Sequence, residues 1–162
     1  MPDFTQRAQI PELLDGSGIP FSAIKLNMEE LDQINSLLGG HRVTLSGLRQ
    51  VLEKFKLQTN VTLRICEVGC GGGDNLRVVR QWLQKEGIAC ELTGIDINPE
   101  CISFAQQQKA NEGIRFLRSD YREVHFEEKP DVIFTSLFCH HFPEAELIGM
   151  VQWLQKNSRL GF

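Results

Sequence analysis

Ile65-Cys66-Glu67-Val68-Gly69-Cys70-Gly71-Gly72-Gly73 is the stretch on which the reading of this chain turns. Apolar residues dominate positions 61–68, a glycine-rich loop follows, and the pattern turns helical at Asp74, which predicts strand, loop and helix in succession. Alternating glycines let the backbone turn tightly and approach a ligand with no Cβ in the way. They also bring amide groups and a helix N-terminus beside whatever is bound. Glu67 stands two positions before Gly69. A carboxylate beneath such a loop repels a pyrophosphate, whereas it can pair with the ammonium of an amino-acid-like ligand.

The competing fingerprint is G-x-G-x-x-G, which places a dinucleotide pyrophosphate on the helix N-terminus. Counted from Gly69, the sixth position is Asp74; counted from Gly71, it is Leu76. Neither is glycine, and a negative side chain at 74 would face the phosphates. A nicotinamide-dependent oxidoreductase is therefore the weaker alternative.

Outward from the loop, 162 residues suit one domain with a sizeable core. With 41% hydrophobic and 23% charged residues the composition is that of an ordinary globular protein. The net charge is −4 and no run of Lys or Arg forms a phosphate-tracking stripe, which argues against nucleic acid and for a small substrate. No signal-peptide core and no membrane-length apolar stretch is present. The five cysteines (66, 70, 90, 101 and 139) show no C-x-x-C spacing. Neither a metal site nor a disulfide framework is indicated, and reduced thiols in a cytoplasmic protein are expected.

Residues 1–25, rich in proline and glycine, read as an irregular arm. A helix is expected over 27–38, capped by Asn27 with Glu30 completing a capping box and stopped at Gly39-Gly40. A second helix is expected over 44–57. Strands at 61–68, 90–96, 114–119 and 131–138 then alternate with helices at 74–86 and 99–111 and a turn region at 121–129, and a last helix covers 143–156. That alternation predicts right-handed βαβ units and a parallel sheet. The fourth strand is apolar nearly throughout, as a strand covered on both faces should be. Ending the sheet there leaves a sticky edge, so the chain reads as truncated, with homodimerisation across that edge as an expectation.

In open α/β sheets ligands bind outside the carboxyl ends of the strands, so those ends are read together. Asp96 closes the second strand 23 residues beyond Gly73, about where an acid reaches ribose hydroxyls. Ile97 beside it offers an apolar face to a purine. At the third strand Asp120 can accept from an exocyclic adenine amine and Tyr121 offers an aromatic wall. Ser136 lies near the end of the fourth strand, followed by His140 and His141, which face the mouth of the cleft; either could serve as a base, and neighbouring histidines lack the spacing of a metal pair. No catalytic dyad is evident.

In this order, Glu67-x-Gly69-x-Gly71-x-Gly73, Gly94-x-Asp96, Ser119-Asp120 and the block at 136–142 resemble the class I S-adenosylmethionine-dependent methyltransferases, over residues 60–156. The His140-His141-Phe142 run is similar to small-molecule methyltransferases related to the ubiquinone and menaquinone biosynthesis enzymes. The resemblance implies a Rossmann-like, doubly wound α/β fold whose full sheet has seven strands, with this chain ending before the last three. Residues 1–58 would form the arm and two helices covering the cleft, and residues 59–162 an incomplete cofactor-binding core. It implies S-adenosylmethionine as cofactor, with Glu67 on the methionine ammonium, Gly69, Cys70, Gly71 and Gly73 lining it, and Asp96 on the ribose. Ile97, Asp120 and Tyr121 would lie about the adenine, and Ser136 by the methionine end. The implied activity is methyl transfer to a small molecule, for example a quinone- or polyketide-like one; binding without turnover is the alternative.

Overall fold

The computed structural model describes residues 18–55 and 61–162. Helices α1 (Phe21–Leu38) and α2 (Gly40–Phe55) come first. They are followed by β1 (Leu63–Val68), α3 (Asp74–Lys85), β2 (Cys90–Asp96), α4 (Pro99–Gln107), β3 (Arg115–Arg118), β4 (Val132–Thr135) and α5 (Glu144–Asn157). The four strands form one parallel sheet in the order β3-β2-β1-β4. Winding runs outward from β1 through β2 to β3, then returns to the other side of β1. The order therefore reverses at β1, and the glycine loop leaves the sheet at that switch point, the place where open α/β sheets bind ligands.

β1 is buried on both faces because its side chains alternate between two cores. Leu63 and Ile65 join Leu48 and Leu52 of α2, Leu76, Val79 and Leu83 of α3, and Ile102 and Ala105 of α4. Cys66 and Val68 point the other way, with Ile95 and Ile133, toward Met150 and Leu154 of α5. Glu67 shares the parity of Ile65, so its carboxylate is delivered into the α2–α3 side. Each fully buried aliphatic side chain contributes about 1.5–3 kcal/mol.

The parallel sheet and the boundaries of β2 follow the sequence reading; several other boundaries do not. α1 starts at Phe21 behind Pro20, which sits extended at its N-terminus (φ −60°, ψ 140°). Asn27 and Glu30 thus lie in mid-helix and form no capping box, and residues 21–25 are helical rather than part of an arm. Residues 1–17 of that arm lie outside the described residues. Gly39 ends α1, but Gly40 already begins α2, four residues before the expected start. The expected end of that helix at 57 lies outside the described residues. α4 stops at Gln107, where Gln108 turns extended before a separate 3-10 turn, Lys109–Asn111.

β4 ends at Thr135 because its partner β1 ends opposite it at Val68. The expected residues 136–138 instead curl away through Leu137, held in the left-handed region at φ 51°, into a 3-10 turn at Cys139–His141. Nor is the outer edge of β4 bare, as the dimer expectation assumed. Leu160 N–H donates to Asp131 O (2.8 Å) and Ile133 N–H to Gly161 O (3.2 Å), so residues 159–161 cover its first half.

Candidate functional site

The loop at 69–73 is tied to the end of β2. The amides of Gly69 and Cys70 both donate to Ile95 O (2.8 and 3.1 Å), Gly73 N–H to Cys70 O (2.8 Å), and Gly71 N–H to Asp96 Oδ2 (2.9 Å). Two of the glycines show why a Cβ is excluded here. Gly69 has φ 72°, and a Cβ there would lie 2.2 Å from the Phe138 ring. Gly94 lets the Cys70 thiol pack onto the sheet, since a Cβ would meet that sulfur at 2.7 Å. Above the loop, the Phe138 ring covers Gly69 and the Met28 sulfur of α1 covers Gly71. Met28 thus brings α1 over the loop, while Phe138 belongs to the segment between β4 and α5.

Glu67 is the unusual group. It is 1% exposed; its Oε1 accepts from Asn75 Nδ2 (3.1 Å), and Oε2 is buried without a partner among the described residues. Burial pushes its pKa well above the ordinary carboxylate range, and the nearby Asp74 and Asp96 add to the rise, against which the Asn75 hydrogen bond works. A buried carboxyl with one bare oxygen and acidic neighbours either keeps a proton or takes up a cationic N–H donor.

Asp96 is partly buried, and both its oxygens serve the backbone: Oδ2 the Gly71 amide and Oδ1 the Asn98 amide, each at 2.9 Å. Burial raises its pKa, opposed by those amides and by the positive field of His141, which lies close enough to act on it. Asn98 caps α4 by accepting from Glu100 N–H, with Pro99 in the first turn. Ile97 beside them is 66% exposed.

The remaining expected residues are placed less favourably. Asp120 is clasped by Arg122 through the guanidinium (2.6–3.1 Å) and the backbone amide (2.9 Å), which holds its pKa below the usual range. Tyr121 is 7% exposed and forms edge-to-face contacts with Phe138, Phe142 and Trp153; its ring belongs to the α5-side core rather than to an exposed wall. The Cys70 side chain is likewise core, with burial raising its pKa, so only its backbone remains at the loop. Ser136 lines a groove between α2 and β4. His140 and His141 are exposed and stacked at 4.2 Å, with His141 against the Phe138 ring.

Sequence reasoning missed the polar cluster behind Glu67. His41 of α2 is 7% exposed and donates from Nδ1 to Asn75 Oδ1 (2.9 Å), which also accepts from Thr44 Oγ1 (3.3 Å). Its Nε2 faces Asp32 Oδ1 at 3.3 Å and Asp74 Oδ2 at 3.8 Å. Arg77 binds the other oxygen of Asp32 (2.5 Å), and Asn35 donates to Asp74 (3.0 Å). Asp32, His41 and Asp74 bring one ligand-capable atom each to within 4.8 Å of one another, but the guanidinium already supplies this cluster with a cation. The only sequence signal was a polar Asn directly after Asp74 and a His between two glycines and an apolar stripe.

A parallel α/β sheet with a glycine loop at its switch point, underlain by an acid, defines a nucleoside-binding type of domain. The methyltransferase-domain family model matches residues 65–159, and the chain belongs to that family. It is 30% identical over 103 residues to the phthiotriol/phenolphthiotriol dimycocerosates methyltransferase of Mycobacterium leprae, covering 61% of this chain and 36% of that protein. Among solved structures it is similar to the plantazolicin methyltransferase BpumL, crystallised with a pentazolic desmethylPZN analog and SAH. There the TM-score is 0.65 at 18% identity, over 86% of this chain and 56% of that one. A TehB-like SAM-dependent methyltransferase from Corynebacterium glutamicum gives a TM-score of 0.54 at 17% identity, over 85% of this chain and 68% of that one. These structures share the fold. The chain spans about a third of the mycobacterial protein and about half of the plantazolicin enzyme. Among the described residues no helix is long and apolar enough to cross a membrane.

Proposed function

We propose that this domain binds S-adenosylmethionine across the carboxyl ends of β1 and β2 and serves methyl transfer to a small, uncharged acceptor of quinone or polyketide type. The observation that carries the reading is the bare Oε2 of Glu67, a buried acceptor suited to an ammonium group. Asp96 would take the ribose: each of its oxygens has accepted a single amide and retains lone-pair capacity. Gly69, Gly71 and Gly73 allow close backbone approach, Ile97 offers a purine an exposed apolar face, and Asp120 stands at the adenine edge. Phe138 and Met28 must give way as the ligand enters.

When bound, S-adenosylmethionine supplies a methyl group on a sulfonium, an electrophile that needs positioning and a dry site more than protein chemistry. His140 or His141 could accept the proton of an acidic acceptor. The groove between α2 and β4 has a volume of about 460 Å³, within the range of small-molecule sites, and among the described residues no charged one lines it. Leu48, Val51, Val132 and Phe134 make its walls apolar, while Thr44, Thr135 and Ser136 give it a polar end.

Calorimetric titration with S-adenosylmethionine, S-adenosylhomocysteine and NAD(H) tests the proposal. Micromolar binding of the first two without NAD(H) is expected; binding of NAD(H) alone would overturn it.

A further inference from the structure

We propose that His41 and Asn75 are positioning residues that fix Glu67, so that docking of α1 and α2 and capture of the ligand's ammonium group are one coupled event. The inference rests on the reading of Glu67 given above and concerns residues outside the glycine loop.

Asn75 is 5% exposed and lies in the first turn of α3. Its amide is used at both ends. Nδ2 donates to Glu67 Oε1, while Oδ1 accepts from His41 Nδ1 and Thr44 Oγ1, both on α2. The donors from α2 thus dictate which way the amide faces. With them absent, a protonated Glu67, able to donate as well as accept, would meet either end of the amide. His41 is itself held from its far side by Asp32 of α1, and Asp32 by Arg77 of α3. Asn35 of α1 closes the chain onto Asp74. A polar path therefore links α1, α2 and α3, and it ends at a carboxyl whose second oxygen is bare.

The apolar share of this docking is small for α1. Among the described residues that helix buries only Ile24 and Asn35, and it leaves Leu26, Ile34, Leu37 and Leu38 exposed. A helix held in part through part-buried polar bonds is sensitive to the state of each partner, because an orphaned member of such a network costs more than its bond contributes. Coupling is reciprocal: if docked helices orient Glu67 for an ammonium, the ammonium must strengthen docking by the same factor. Met28 above Gly71 places α1 on the loop that would be occupied, so once that side chain has swung aside the roof settles as the charge is met.

The test compares two probes on the full chain, S-adenosylhomocysteine and 5′-methylthioadenosine, which carries the same nucleoside thioether without the amino-acid end. For the wild type, tighter binding of S-adenosylhomocysteine is expected, together with slowed amide exchange across α1 with that ligand alone. Asn75→Ala and His41→Ala should weaken S-adenosylhomocysteine about tenfold, equivalent to roughly 1.4 kcal/mol. Binding of methylthioadenosine should stay within about twofold, and the exchange response of α1 should vanish. His41→Gln, which keeps a donor toward Asn75 Oδ1, should restore part of the loss. Should Asn75→Ala not fold, Thr44→Val removes one of the two donors from α2 and should show the same selectivity at about two- to threefold.

Parallel loss of both ligands, or unchanged binding of S-adenosylhomocysteine, would overturn the inference while leaving the cofactor assignment standing. A wild type that binds both probes equally would instead overturn the role of Glu67, and this inference with it.

Discussion

The carboxyl ends of β1 and β3 each place an acid beside the same rim of the sheet, and the two carboxylates differ in every physical respect. Glu67 is sealed in the interior with one oxygen bare, one neutral partner, and a pKa driven upward by burial. Asp120 is held by a guanidinium and a backbone amide, and its pKa is driven down by that partner. Asp96 lies between them, half-buried, with each oxygen accepting one amide and keeping capacity for another donor. An acid whose needs are met inside its own fold is a structural device. An acid kept from water with an unmet oxygen is costly to maintain, and ligand binding is the event that would offset the cost.

The sharpest break of this contrast is Glu67→Gln. The substitution keeps the shape and the Asn75 contact but removes the charge, so binding of S-adenosylhomocysteine should fall about 10- to 100-fold, the loss expected for a charge-assisted hydrogen bond. Methylthioadenosine should bind as before. Calorimetry reads both, and equal losses for the two ligands would remove Glu67 from the ammonium.

Next in size is Asp96→Ala. It strips the acceptor from two amides, one of which ties Gly71 to the end of β2, so affinity should drop about tenfold and Tm should fall by several degrees, since each orphaned amide costs about 1–3 kcal/mol. Asp96→Asn, still an acceptor, should recover much of the Tm and less of the affinity. Recovery of both together would make Asp96 a loop anchor alone.

The same Glu67→Gln variant sharpens the comparison through pH. A carboxyl whose folded pKa lies above its unfolded value binds more protons in the native state between those two values, so its stability contribution declines as pH rises through that window. Replacing it should raise Tm by about 3 °C near neutrality, with the gain disappearing below the ordinary carboxylate range. Ligand affinity in the wild type should move oppositely, rising with pH as the carboxyl sheds its proton to meet an ammonium. Thermal melts and titrations at matched pH values check both signs; a stability gain that is constant in pH would contradict the protonated state.

How far these features could be read in advance depended on their range. Local punctuation was sufficient for the parallel sheet, the glycine loop and β2, because strand alternation, Gly69 and the Asn98-Pro99 cap are set by neighbours in sequence. The start of α1 was misread because Asn27 and Glu30 imitate a capping box, whereas the helix begins behind Pro20. The far end of β4 was misread because its apolar run continues past the point where β1 stops offering a partner. Tyr121 was assigned to the ligand from its place at a strand end, yet the rings of Phe138, Phe142 and Trp153, supplied from 17 to 32 residues away, draw it into the core. His41 and Asn75 meet across 34 residues, and no period or motif announces that contact.

The smallest expected effect belongs to Asp120. Its carboxylate caps the 3-10 turn that follows β3 and pairs with an exposed Arg122. A depressed carboxyl pKa contributes stability above the unfolded value and loses it as pH falls through the folded one, so the pH dependence of that contribution is confined to acid conditions. Exposed ion pairs contribute little, because solvent screens them and two side chains must be ordered. Asp120→Asn retains a good cap and an acceptor, so Tm near neutrality should change by less than about 3 °C, and binding of S-adenosylhomocysteine by less than about threefold. If affinity instead falls tenfold with Tm unmoved, Arg122 is not the true partner of this acid when ligand is present. Asp120 would then join Glu67 as a ligand-directed carboxylate, and the contrast between the two strand ends would hold only for the ligand-free domain.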